Sequence, residues 1–139
     1  MEITHTSPVL DADAVEHLRQ FGTEIAYTPG SVILRRGEVG QSFYVILAGS
    51  VEISVENPQG DRLKLRELGE GNFFGEISLL IQSPVTADVM ASRPLKVLVC
   101  SKDSFLAALA DSATLGATLS RVLASRLAAN TTDLWSLHQ

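Results

Sequence analysis

The segment Asn72-Phe73-Phe74-Gly75-Glu76-Ile77-Ser78-Leu79-Leu80-Ile81-Gln82-Ser83-Pro84-Val85-Thr86-Ala87 combines a glycine, one carboxylate and a short apolar turn in an order that suits a sugar phosphate. Gly75 lets the backbone come close to a ligand. The run from Glu76 to Ile81 is long enough for one or two helical turns, whose first N–H groups are donors that can face an anion. Glu76 itself suits a ribose hydroxyl. Each residue also has a purely structural reading: Phe73 and Phe74 as core aromatics, Gly75 as a turn, and Glu76 as a first-turn acid that complements the helix dipole. Phe73 fits the core reading better than the ligand reading. Taken together and in this order, the residues favour a ligand.

The elements that must position this segment follow from the change of period along the chain. Residues Met1 to Pro8 have no period and read as an arm. Asp11 or Asp13 then caps a short helix through Phe21, with Val15, Leu18 and Phe21 on one side. Short runs rich in β-branched or aromatic residues follow: Ile25 to Tyr27, Val32 to Leu34, Phe43 to Leu47, Val51 to Val55, Leu63 to Leu68, Val85 to Met90 and Leu95 to Cys100. Turn signals separate most of them, at Pro29-Gly30, Gly37 to Gly40, Gly49, Asn57-Pro58-Gln59-Gly60 and Gly69 to Gly71. Many short strands at nearly regular spacing predict an antiparallel barrel or jelly roll. From Ser101 the period is helical again. Ser101 caps Lys102 to Leu109, and a longer helix runs from Ser112 toward Ala129 with Leu115, Leu119, Leu123 and Leu127 as one apolar stripe. Asn130-Thr131-Thr132 weakens it, and Leu134, Trp135 and Leu137 add an apolar tail suited to capping a pocket or sealing a dimer.

At the Phe-Gly-Glu and Pro-Val-Thr-Ala sequences the chain resembles the phosphate-binding cassette of the cyclic nucleotide-binding domain family. That pattern runs Phe-Gly-Glu, a small or apolar pair, a short turn, then Pro-Arg-Ala/Ser/Thr-Ala. The run Gly37-Glu38-Val39-Gly40-Gln41-Ser42-Phe43-Tyr44-Val45-Ile46-Leu47-Ala48-Gly49-Ser50-Val51 looks like the family's paired-strand motif, with Gly40 and Gly49 at the expected turns. The resemblance spans roughly Phe21 to Arg126. It implies the antiparallel jelly-roll (β-roll) of the bacterial catabolite activator-like regulators and the protein kinase A regulatory subunits: mainly β with flanking α, an N-terminal helix, a short cassette helix and C-terminal helices. On this reading residues 1–139 form a single domain, with the roll at about 22–100 and the C-terminal helices at about 101–129.

The resemblance also implies roles for the cassette residues. Phe74 stands beside the ligand, Gly75, Ile77 and Ser78 offer backbone donors, Glu76 holds the ribose 2′-hydroxyl, and Thr86 adds a hydroxyl to the cyclic phosphate. The departure is Val85, which stands where the family usually carries the arginine that grips that phosphate. Arginine offers a fixed fork of donors and a permanent charge, and valine offers neither. Removing one partner of a buried charge pair costs about 2–5 kcal/mol, and each ~1.4 kcal/mol is tenfold in Kd. A micromolar site becomes a millimolar one unless another cation compensates. Arg66, Arg121 and Arg126 are the candidate substitutes. The expected function is a regulatory sensor that binds cAMP or cGMP, weakly if nothing replaces the arginine, and signals through its C-terminal helix. The alternative is a degenerate, nucleotide-free roll that serves as a protein-interaction or dimerisation module or takes a different small ligand.

Composition bounds the rest. At 139 residues with 45% hydrophobic and 19% charged residues, the chain has room for a real core. No apolar run approaches the ~20 residues needed to span a bilayer, and the N-terminus lacks signal-peptide order, so a cytoplasmic setting is expected. A net charge of −5 and a pI near 5.1 argue against a nucleic-acid surface, and no helix-turn-helix follows the roll. Arg62, Lys64 and Arg66 alternate with Leu63 and Leu65 and read first as the wet face of a half-buried strand, with Arg66 turning to the cavity as the second reading. Cys100 is a single cysteine and reads as packed core. His5, His17 and His138 lie too far apart in sequence to suggest a metal or a cupin-like centre, and neither a nucleophile elbow nor an activated cysteine is present. No catalytic residue, metal or bound cofactor is therefore expected. A homodimer through the last helix is expected only as a separate possibility.

Overall fold

Asp11 caps the first helix as its position predicts. The backbone N–H of Ala14 donates to its Oδ1 at 2.8 Å, and α1 (Ala12–Arg19) follows in this computed structural model, which describes residues 9–137, with side chains to residue 125. The helix stops short of Phe21, since the chain at Gly22 passes close against the Val99–Cys100 segment. A Cβ there would lie 2.8 Å from the Cys100 sulfur and 2.9 Å from the Val99 carbonyl oxygen.

The strands are β1 (Thr23–Tyr27), β2 (Val32–Leu34), β3 (Ser42–Ala48), β4 (Val51–Glu56), β5 (Arg62–Leu68), β6 (Phe73–Phe74), β7 (Asp88–Ala91) and β8 (Leu95–Ser101). The helices after α1 are α2 (Glu76–Ile81), α3 (Lys102–Asp111) and α4 (Ala113–Leu137). The strands form two four-stranded sheets, ordered β1-β8-β3-β6 and β2-β7-β4-β5, with every pairing antiparallel. This is the antiparallel β-roll with flanking helices that the sequence predicts.

The central strands β3 and β8 of the first sheet are covered on both faces, which explains their nearly continuous apolar runs, whereas β1 at its edge is largely exposed. Phe43, Val45, Phe73, Leu98 and Cys100 face the helices, where they meet Leu18, Phe105, Leu115, Leu119 and Val122. Phe43 stacks on Phe105 with ring centroids 4.3 Å apart. The alternate residues Ile46, Phe74 and Val97 face the second sheet and pack with Leu34, Val51, Leu68 and Val89. Thus the α4 stripe, as far as Val122, is spent on the chain's own core. The side chains of Leu127, Leu134, Trp135 and Leu137 lie outside the described residues.

At four further points the structure departs from, or adds to, the elements expected. The strand predicted from Val85 begins only at Asp88, because Val85 pairs instead with the Gly37–Val39 loop: Gly37 N–H donates to the Val85 carbonyl at 2.8 Å and Val85 N–H to that of Glu38 at 2.7 Å. Phe73 and Phe74 form a two-residue strand against β3, too short to leave a period. Helix α4 continues through Asn130-Thr131-Thr132, since propagating an established helix costs only tenths of a kcal/mol per weak residue.

The fourth concerns β5, an edge strand whose residues Arg62 to Glu67 are all exposed, Leu63 at 48% and Leu65 at 58%. Its register against β4 pairs Ile53 with Arg66 but Ser54 with Lys64, so Leu65 is an extra residue. A bulge of this kind breaks the alternation. Arg66 therefore shares the inner face with Leu68, and the leucines expected to be half-buried are in water.

Candidate functional site

Between the second sheet, α2 and the segment after it lies a cavity of about 280 Å³. Every cassette residue singled out from the sequence lines it: Phe74, Gly75, Glu76, Ile77, Ser78, Val85 and Thr86. Leu34, Ile53, Leu68, Ala87, Val89 and Leu123 supply most of its apolar wall, and Arg66, Ser83 and Pro84 complete the lining. These apolar residues were not legible as ligand-facing, because a cavity wall and a core face carry the same apolar periodicity in strands and helices alike.

Gly75 opens the site, though its backbone is required by the protein itself. Its φ is +88°, and a Cβ there would stand 2.7 Å from the Ser42 carbonyl oxygen and 3.2 Å from the Tyr44 ring. The chain crosses β3 so closely that only glycine fits. Beside it, Phe74 stacks face to face on Tyr44, with centroids 4.7 Å apart and planes 5° apart. Burial, followed by the charge of Tyr27, raises the Tyr44 hydroxyl above its ordinary pKa of 10.0, so it remains a neutral donor. Phe73, on the other face of β6, is wholly buried in the helix-side core, as its core reading predicts.

Glu76 begins α2 and is 6% exposed on the cavity wall. Ile77, one residue on, is 51% exposed at the cavity's edge. Ser78 is buried, and its hydroxyl bridges two segments: it accepts from the Gly40 N–H at 2.6 Å and donates to the Ser83 carbonyl at 2.5 Å. Gly40 suits this closeness, since a Cβ there would stand 3.2 Å from the Ser78 oxygen, tighter than an ordinary contact. The paired-strand loop and the cassette are thereby tied into one unit. Sequence reasoning missed this tie because no local signal connects residue 40 to residue 78.

Val85 is half-buried with its side chain against the roll interior, and Thr86 is exposed at the cavity rim. Just beyond them Asp88 anchors the start of β7. It accepts from the Arg36 backbone N–H at 2.7 Å and from Arg62 at 2.9 Å, and these two interactions, in that order, hold its carboxyl below the usual 3.8. Of the candidate substitute cations, Arg66 lines the cavity on β5. Arg121 is exposed on α4, donates to Thr118 Oγ1 at 3.4 Å and does not line the cavity. Arg126 lies outside the described residues for side chains.

His17 sits 3.3 Å from the Ala108 carbonyl and 3.5 Å from Asp111, joining α1 to α3. His5 and His138 lie outside the described residues. Among the described residues no group of three His, Cys, Asp or Glu side chains could hold a metal ion, and no helix is long and apolar enough to cross a membrane.

A family model described as the cyclic nucleotide-binding domain matches residues 24–112. A cAMP-dependent protein kinase regulatory subunit of Blastocladiella emersonii is 38% identical over 94 residues, covering 68% of this chain and 22% of that protein. The cGMP-dependent protein kinase egl-4 of Caenorhabditis briggsae is 32% identical over 108 residues, covering 76% of this chain and 14% of that protein. Among solved structures, the catabolite activator protein of Thermus thermophilus superposes with a TM-score of 0.81 at 26% identity, covering 93% of this chain and 61% of that one. The chain thus spans less than a quarter of the length of either kinase-related relative.

Proposed function

Since its match to the family model covers residues 24–112, this chain belongs to the cyclic nucleotide-binding domain family, a family of regulatory rather than catalytic domains, and we propose that it is a sensor module that binds cAMP or cGMP. The observation that carries the reading is the open cavity with a buried carboxylate on its wall. Glu76 is held at 6% exposure beside the Gly75 corner, and neighbouring hydrocarbon does not fill the space. A carboxylate on the wall of such a cavity is an acceptor that a ribose hydroxyl can reach and donate to. The relatives' printed names include both a cAMP-dependent and a cGMP-dependent kinase protein, which supports a cyclic nucleotide without choosing the base.

In this proposal the backbone N–H groups of Ile77 and Ser78 and the Thr86 hydroxyl take the cyclic phosphate, and Val85 presents methyl groups to it. Affinity is then lower than an arginine at that position would give. Leu123 of α4 lines the same cavity while Leu115, Leu119 and Val122 sit in the core, so filling the cavity biases how α4 packs. Pairing of two chains through α4, over the segment with described side chains, would have to use its outward residues, Ala113, Thr114, Ala117, Ser120, Arg121, Ala124 and Ser125.

Titration calorimetry with cAMP and cGMP tests the proposal. Saturable heat with a matching thermal shift is expected. No heat and no shift at millimolar nucleotide would remove the sensor reading and leave the ligand-free interaction module.

A further inference from the structure

Pro84, Val85 and Thr86 form the part of the cavity wall that a cyclic phosphate would meet, and none of them carries a charge. Val85 packs its methyl groups against the roll interior, and Thr86 is exposed at the rim. The basic side chains around this end are spent or placed elsewhere. Arg62 is held by Asp88 at 2.9 Å, by Ser54 at 2.9 Å and by Glu56 at 3.7 Å. Arg35 and Arg36 are exposed and do not line the cavity. Arg66 does line it, but it is already engaged within the protein, and the register sets it opposite Ile53, which in turn lies opposite Val89, four residues past Val85. The Ser78 hydroxyl is committed too, accepting from Gly40 and donating to Ser83. What is left for a phosphate is neutral: the Thr86 hydroxyl and the backbone N–H groups of a six-residue helix. Neutral donors at an exposed rim exchange for water nearly one for one, so they add little to what the phosphate already has in solution.

We propose that this pocket takes an uncharged ribonucleoside at least as tightly as the corresponding cyclic nucleotide. The inference rests on the ribose placement at Glu76 in the reading above and not on its phosphate contacts. The two ligands differ at two points. A 3′,5′-cyclic nucleotide brings a full negative charge that loses part of its water on entering, and the methyl groups of Val85 do nothing to offset that loss. A nucleoside brings no charge, and it keeps a 3′-hydroxyl beside the 2′-hydroxyl, where the cyclic ester has tied that oxygen to phosphorus. Both hydroxyls are donors. A carboxylate, with two oxygens and about four lone-pair sites, accepts more than one donor, alongside the interaction that Glu76 already makes in the protein. Size and lining agree with the smaller, neutral ligand. The cavity of about 280 Å³ is at the lower edge of the ~300–1,000 Å³ usual for small-molecule pockets, and Leu34, Ile53, Leu68, Val89 and Leu123 offer apolar surface to a flat base.

The test is calorimetric Kd measurement on the 139-residue chain with adenosine, guanosine, cAMP and cGMP, for the wild type and Val85→Arg. Each nucleoside is expected to bind the wild type as tightly as its cyclic phosphate, or more tightly. Val85→Arg should reverse the order, tightening cAMP and cGMP relative to their nucleosides by roughly ten-fold to a hundred-fold. 2′-Deoxyadenosine should bind the wild type more weakly than adenosine. A wild type that binds the cyclic nucleotides roughly three-fold or more tightly than the nucleosides would overturn the proposal and leave cyclic-nucleotide sensing intact. So would a nucleoside-to-nucleotide ratio that Val85→Arg does not move, since the phosphate would then lie away from position 85. Equal binding of adenosine and 2′-deoxyadenosine would show that the ribose is not read, and would overturn the ribonucleoside class. Heat with the nucleosides and none with cAMP or cGMP supports the proposal and removes the cyclic phosphate from the reading above. No heat with any of the four at millimolar concentration would overturn the nucleotide reading itself, and this inference with it. The wild-type comparison needs no variant, and a thermal melt checks that Val85→Arg is folded.

Discussion

Val85→Arg is the substitution whose outcome says most about the site. Val85 lines the cavity between Pro84 and Thr86, and its backbone is pinned on both sides, N–H to the Glu38 carbonyl and carbonyl to the Gly37 N–H. A new side chain there starts from a fixed point. A charge-assisted, two-pronged contact from arginine to a phosphate is worth about 1.5–3 kcal/mol net. That converts to a Kd roughly ten-fold to a hundred-fold lower. The lost packing of the valine against the roll interior, about 1 kcal/mol, weighs on the free and the bound protein alike and cancels from the affinity. Calorimetry with cAMP and cGMP reads the change directly. A thermal-shift assay at saturating ligand should show an extra rise of roughly 4 °C for each tenfold gain. The added affinity should also shrink as salt is raised, since it is electrostatic and near the surface. Unchanged affinity in a folded variant would mean that the phosphate does not lie beside position 85, and the assignment of the cassette in this chain would be wrong.

The remaining predictions concern what holds the site in place. Gly75→Ala forces a Cβ to within 2.7 Å of the Ser42 carbonyl at a φ of +88°; it should cost about 2 kcal/mol or more in urea unfolding, and a neutral result would mean that α2 is not locked to β3. Asp88 has its pKa depressed below 3.8, first by the Arg36 backbone N–H and then by Arg62. A depressed carboxyl gives stability that is present above its unfolded pKa and lost as pH falls through the folded value. The stability difference between wild type and Asp88→Asn should therefore be constant at neutral pH and shrink below about pH 4; a difference that grows on acidification would reverse the sign of the argument. Cys100 is fully buried, and burial pushes its thiol up to about 11. The native protein should resist alkylation at pH 8 and react only as it unfolds, so rapid labelling without unfolding would contradict the packing around β8.

The Gly75–Ile81 corner was legible in the sequence because its backbone demands are local. Gly75, Glu76 and the Glu76–Ile81 helix are neighbours along the chain, and a positive φ, a helix start and a carboxylate are properties of single residues. Strand edges were also legible wherever turn residues bracket an apolar run, as at Val32–Leu34. The β5 alternation misled for a definite reason. Period 2 assigns faces only while the register is unbroken, and the extra residue at Leu65 interrupts it. The tie from Ser78 to Gly40 was not legible at all, since a serine in a first helical turn looks alike whether its hydroxyl meets water or a backbone 38 residues away.

What the sequence determined by itself was the antiparallel roll and the Gly75–Ile81 corner with its short helix, because these follow from residue type, spacing and local backbone demands. Only the tertiary structure decided that Glu76 is buried on an open cavity, that Arg66 rather than Arg121 lines it, and that Leu123 reaches it from α4. Those outcomes depend on strand register and on how two sheets and a helix close around a volume. Such placements join residues distant in the chain, so no window of sequence encodes them.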